Sequence, residues 1–169
     1  DDRIQFISAK MKENPEIVSQ IYRLVKSEAA RSTGADAKSM LVPSKTAPET
    51  DYTYKGILKY FITALNETPG DYNDLELFLK NYGQSNYIDI TKLMKSGRST
   101  WTEWLIGDGK VNQAFIHKLY ENLFDIKLNI HGSNRGPGEV GLALLSPKIT
   151  FAQVGDLMID GEEVEVKGE

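Results

Sequence analysis

Two adjacent residues, Asp160-Gly161, constrain this chain more tightly than any others. They separate the run Val154-Gly155-Asp156-Leu157-Met158-Ile159 from the run Glu162-Glu163-Val164-Glu165-Val166-Lys167. Asp-Gly between two such runs is a strong local signal for a β-hairpin, because the tight turn needs positive φ at its central positions. A two-residue loop fixes the register: Ile159 faces Glu162, Met158 faces Glu163, Leu157 faces Val164 and Asp156 faces Glu165. Strand side chains alternate, so Asp156, Glu165 and Lys167 fall on one face, and Leu157, Ile159, Val164 and Val166 on the other. A four-residue loop keeps this pairing, whereas a three-residue loop with a bulge shifts it by one.

That register has a chemical consequence. Carboxylates directly opposed on an antiparallel pair have Cβ atoms roughly 4.5–5.5 Å apart and repel unless something neutralises them. A divalent cation does so, and hard oxygen donors suit Mg²⁺ or Mn²⁺. Charge is distributed to match. Residues 136–169 hold two lysines against seven acids, a net of −5, while the residues before them sum to +1 within an overall −4. The competing reading is an exposed hairpin with charged residues outward and apolar residues inward, which alternation alone would produce.

Upstream of the hairpin, Pro137 opens a helix reaching Leu145, with Val140, Ala143 and Leu144 apolar and Glu139 in its first turn. There Glu139 is either a carboxylate favoured by the helix N-terminus or a member of the site. Ser146-Pro147 ends that helix, and Lys148 to Ala152 has the composition of a short strand. The glycine-rich stretch 131–138 (HGSNRGPG) contains His131 and Arg135, each a candidate substrate contact or a solvated loop residue.

The preceding 130 residues are patterned for helices. Asn14-Pro15-Glu16 is a start signal, followed by Ile17, Ile21, Leu24 and Val25 at helical spacing through Arg31. Residues 3–10 suggest a shorter helix with Ile4 and Ile7 on one side. Residues 34–50 read as a linker or long loop. Ile57, Tyr60, Phe61 and Leu65 form the stripe of a helix over 51–66; core packing is the expected use of its aromatics, stacking on bases the competing one. Asp71 or Asn73 caps a helix carrying Leu75, Leu77, Phe78 and Leu79. Residues 87–96 make a short element, Thr100 and Glu103 a capping box, and Trp101 and Trp104 are expected to bury together. The most regular helix is 111–125, with Ala114, Phe115, Leu119, Leu123 and Phe124 grouped.

Several function classes are excluded. No apolar run approaches a transmembrane length, so no membrane partner is expected. Neither GxxxxGK[ST] nor GxGxxG occurs, so nucleotide-binding loops have no support. The two histidines, His117 and His131, form no zinc motif, and His117 reads as a helix-surface residue. The chain has no cysteine, which fits a reducing, cytoplasmic compartment.

Glu139, Gly155-Asp156 and Glu165-Val166-Lys167, in that order, resemble the PD-(D/E)XK nuclease superfamily, which includes many restriction endonucleases. The resemblance covers about residues 136–169; Gly155 stands where the family signature has Pro. It implies an α+β chain: a mainly helical part over residues 1–131, for DNA binding, specificity or assembly, then a partial nuclease core over 132–169. The family core goes on past the Lys with a helix and a further strand, so a continuation beyond Glu169 is expected, and no activity from this stretch by itself. Carried over by position, Asp156, Glu165 and the Val166 carbonyl hold Mg²⁺, and Lys167 assists the attacking water. Glu139 orients metal-bound water or helps hold a second ion. The implied activity is hydrolysis of DNA phosphodiester bonds, as an endonuclease, with DNA as partner and a homo-oligomer compatible. The alternatives are a non-catalytic binding or structural protein with a nuclease-like acidic hairpin, or a helical nucleic-acid-binding module.

Overall fold

The computed structural model describes residues 2–31, 54–84, 87–94, 101–106, 109–125, 137–152, 157–159 and 161–164. They form an α+β chain, mostly helical, with one small antiparallel sheet near its C-terminal end. The helices are α1 (Asp2–Glu13), α2 (Pro15–Arg31), α3 (Tyr54–Glu67), α4 (Tyr72–Lys80), α5 (Ile90–Met94), α6 (Trp101–Trp104), α7 (Gln113–Asp125) and α8 (Pro137–Leu145). The strands are β1 (Ile149–Phe151), β2 (Leu157–Ile159) and β3 (Glu162–Val164), in sheet order β1-β2-β3.

Local chemistry accounts for the starts of these elements. Pro15 is the first residue of α2, and the Asn14 side chain accepts from the Glu16 N–H at 3.3 Å. At α4 the cap is Asp71, not Asn73. Its carboxylate accepts from the Asp74 N–H at 2.9 Å, and Asp74 accepts in return from the Asp71 N–H at 3.1 Å, a reciprocal capping box made by two aspartates.

The apolar stripes converge on one hydrophobic cluster. It takes Ile17, Ile21, Leu24 and Val25 from α2, Ile57, Tyr60, Phe61 and Leu65 from α3, and Leu75, Phe78 and Leu79 from α4. Tyr60 and Phe61 are buried, and the Tyr60 hydroxyl donates to the Leu123 carbonyl, so these two rings serve the core. Phe78 anchors an aromatic group with Phe61, Tyr82, Tyr87 and Phe115 around it, each ring centroid 5.5–6.3 Å away. The cluster continues through α7 and α8 into Ile149, Phe151, Leu157 and Ile159 of the sheet.

In three places the fold departs from the sequence pattern. Helix α1 runs to Glu13 and buries Ile7 and Met11, leaving Ile4 39% exposed. Residues 87–96 are not one element: Tyr87-Ile88 bridges back to Leu105, and α5 begins at Ile90, its Lys92 N–H donating to the Asp89 side chain. The Asp89 N–H donates to the Trp104 carbonyl at 2.7 Å and the Ile106 N–H to the Tyr87 carbonyl at 2.8 Å. On α7 the buried row is Phe115, Ile116, Leu119, Tyr120 and Leu123, while Ala114 and Phe124 face solvent. The helix is turned so that Tyr120 meets the Trp104 ring edge-on at 5.5 Å and lies against Gly141 of α8. Trp104 is buried; the Trp101 side chain, the 34–50 linker and Thr100 lie outside what is described. Among the described residues no helix is long and apolar enough to cross a membrane.

Candidate functional site

The site suggested by the sequence draws on α8 and the hairpin, and α8 is the more deeply enclosed of the two. Pro137 begins it, and Val140, Leu142, Ala143, Leu144 and Leu145 are all fully buried. It is therefore enclosed on most of its circumference rather than along one stripe. Its main neighbour is α7, with α2 and β1 also in contact. Gly141 makes the close approach possible: a Cβ there would lie 3.3 Å from Leu123 Cβ and 3.4 Å from the Tyr120 ring.

An α-helix leaves its last four carbonyls without intrahelical donors. At this buried end of α8, side chains from α2 and from the turn after α4 supply two of them. Gln20, on α2, is fully buried, and its Nε2 donates toward Ala143 O at 2.7 Å, Ser146 O at 3.1 Å and Ile149 O at 2.6 Å. The Tyr82 hydroxyl, also buried, donates to Leu144 O at 2.7 Å. Burial pushes the Tyr82 phenol well above the ordinary tyrosine value, so it remains a donor. The turn after α8 is closed by the Ile149 N–H donating to Ser146 O at 3.1 Å and the Lys148 N–H to Ser146 Oγ at 3.3 Å. Ser146 is itself buried.

The sheet follows directly. Ile149 pairs with Ile159, Thr150 with Met158 and Phe151 with Leu157; across the next interface Leu157 pairs with Val164, Met158 with Glu163 and Ile159 with Glu162. This is the register read from the sequence, and Gly161 at φ +84° supplies the left-handed turn residue. Ile149, Phe151, Leu157 and Ile159 are buried and Val164 packs on the same core. Thr150, Met158 and Glu163 form the opposite face, away from the core, with Glu163 exposed.

Of the residues singled out by sequence, one can be placed in full. Glu139 lies in the first turn of α8, half-buried, with its carboxylate oxygen Oε2 shielded from solvent. His131, Arg135, Asp156, Glu165, Val166 and Lys167 lie outside the described residues. The described hairpin stops one pair short of Asp156 and Glu165. Among the described residues no three His, Cys, Asp or Glu side chains are grouped to hold a metal ion. His117 is half-buried on α7, its ring Nε2 3.1 Å from the Leu105 carbonyl and 3.4 Å from Gln113 Nε2, so it contributes to α7–α6 packing rather than lying open on the surface.

Gln20 and Tyr82, which hold the end of α8, were not singled out by sequence reasoning. A signal exists for Gln20: it occupies the second place in the row Ile17, Gln20, Ile21, Leu24, where every other member is apolar and buried. A long polar side chain on an apolar stripe marks a buried hydrogen-bonding role. Comparison with family models, curated proteins and solved structures returns no match to this chain.

Proposed function

We propose that this chain carries the opening part of a PD-(D/E)XK-type core and acts as a Mg²⁺-dependent nuclease that hydrolyses DNA phosphodiester bonds endonucleolytically. The observation that carries the reading is the hairpin register with its buried apolar face. Continued outward by one pair, that register sets Asp156 opposite Glu165, and alternation assigns Lys167 to the same face as both. The order of elements, a helix bearing Glu139 followed by three antiparallel strands, supports the same reading.

The donor set fits the ion. Two carboxylates and the Val166 carbonyl are hard oxygen ligands, suited to Mg²⁺ or Mn²⁺. A bound divalent cation supplies an acidified water and a counter-charge for the scissile phosphate. Asp156 and Glu165 would hold the ion. Lys167 orients the attacking water through its ammonium and meets the charge that develops on the phosphoryl oxygens. Glu139 would orient that water or help hold a second ion. Arg135 and His131, in the glycine-rich stretch before α8, contact the phosphate backbone.

The test is plasmid cleavage by the full-length protein with Mg²⁺ or Mn²⁺, beside Lys167→Ala and Asp156→Asn. The expected result is nicking that EDTA abolishes and that each substitution lowers by about 10²-fold or more. Intact supercoiled, linear and single-stranded DNA under every metal tried would sink the reading. Retarded DNA mobility without cleavage would replace it with a helical nucleic-acid-binding module.

A further inference from the structure

We infer that Gln20 is a positioning residue for this site, setting the angle between the helix that carries Glu139 and the sheet that carries the acidic hairpin; the inference rests on the nuclease reading. Its Nε2 reaches three carbonyls that belong to different elements: Ala143 in the last turn of α8, Ser146 in the turn, and Ile149 at the start of β1. One side chain thus spans the whole α8–β1 elbow, through which Glu139 and the hairpin are connected. An amide nitrogen brings two N–H groups, so three acceptors share two protons, and the arrangement holds only while all three carbonyls converge.

The way the amide is used argues for direction over adhesion. Gln20 is fully buried, and its Oε1 is buried with no hydrogen-bond partner. A methionine would fill similar space on the row of Ile17, Ile21 and Leu24 and would bury no unmatched amide oxygen, but it would withdraw the donor from all three carbonyls. What the amide alone supplies is a fixed convergence of three backbone groups. Tyr82 takes the neighbouring Leu144 carbonyl, so the end of α8 is fixed in rotation as well as in tilt. A polar site assembled from two elements depends on such support, since misplacement by about 1 Å can cost about 10²-fold in rate.

The test compares the full-length wild type, Gln20→Met and, as a control of similar destabilisation on the same helix, Ile17→Ala. Two readouts are needed: single-turnover DNA cleavage at a temperature where all three are folded, and Mn²⁺ binding by calorimetry without DNA. Gln20→Met should cut at least about tenfold more slowly with half-saturating DNA changed less than about twofold, and should bind Mn²⁺ several-fold more weakly. Ile17→Ala should match wild type in both. Equal cleavage and equal Mn²⁺ binding in Gln20→Met, with only its melting temperature lowered, overturns the positioning role and leaves the nuclease reading standing. A wild type that neither binds Mn²⁺ nor cleaves overturns both.

Discussion

Two helix C-termini in this molecule are closed in the same way with different chemistry. At the end of α3, the Arg3 guanidinium reaches from α1 and donates to Asn66 O at 3.1 Å, Thr68 O at 2.6 Å and Gly70 O at 2.8 Å. At the end of α8, Gln20 reaches from α2 to three carbonyls in the same manner. Each is one side chain on three acceptors, bridging elements far apart in sequence. The first lies at the surface, where a permanent charge remains partly hydrated and strengthens each bond. The second lies in the core, where stripping an uncompensated cation of water would cost more than the bonds return, so the donor is neutral. Burial, not the count of hydrogen bonds, decides which donor can be used.

That contrast can be broken by substitution. Gln20→Met leaves buried carbonyls without donors, each worth roughly 1–3 kcal/mol, and should destabilise by about 2–4 kcal/mol in urea or thermal unfolding. A loss under about 1 kcal/mol would mean that the elbow relaxes around the gap. Tyr82→Phe removes one buried bond at the same end of α8 and should cost about 1–2 kcal/mol. It should also change the alkaline limb. Burial raises the folded value of the Tyr82 phenol above the ordinary 10.0, so its contribution is fully present below pH 10 and is lost as pH rises beyond it. The stability of Tyr82→Phe should therefore fall less steeply above pH 10 than that of wild type, in urea titrations at stepped pH. Arg3→Ala should have the smallest effect, at most about 1 kcal/mol, because water can replace the guanidinium at partly exposed carbonyls. If Arg3→Ala costs as much as Gln20→Met, burial is not the deciding variable.

What the sequence made legible follows the range of the forces involved. The hairpin register could be read because Asp160-Gly161 and the alternation around it act over a few residues, and the structure pairs Leu157, Met158 and Ile159 as that local geometry requires. The same holds for Pro15 at the start of α2 and for the stripe Ile57, Tyr60, Phe61 and Leu65. The face of α7 was less legible. Helical spacing leaves Phe124 and Tyr120 as equal claimants for burial, and the choice is made by Trp104 and Gly141, which are remote in sequence. The partners of Gln20 were hidden for the same reason, since its three acceptors lie 123–129 residues away. Of the candidate site, Glu139 and the strand pairs from Leu157–Val164 to Ile159–Glu162 are described, and Asp156 and Glu165 lie outside the described residues.

The same separation bears on how the protein is made. A chain synthesised from its N-terminus exposes Gln20 long before Ile149 exists, so the nascent α2 carries a polar group on its apolar face with nothing to bind. Contacts of such high order form after local helices have condensed, since closing so long a loop must precede any return from the bonds. The Gln20 clamp therefore belongs to the final consolidation of the fold. Its removal should speed unfolding while leaving the folding rate near that of wild type, a separation that the two limbs of a chevron plot would read directly.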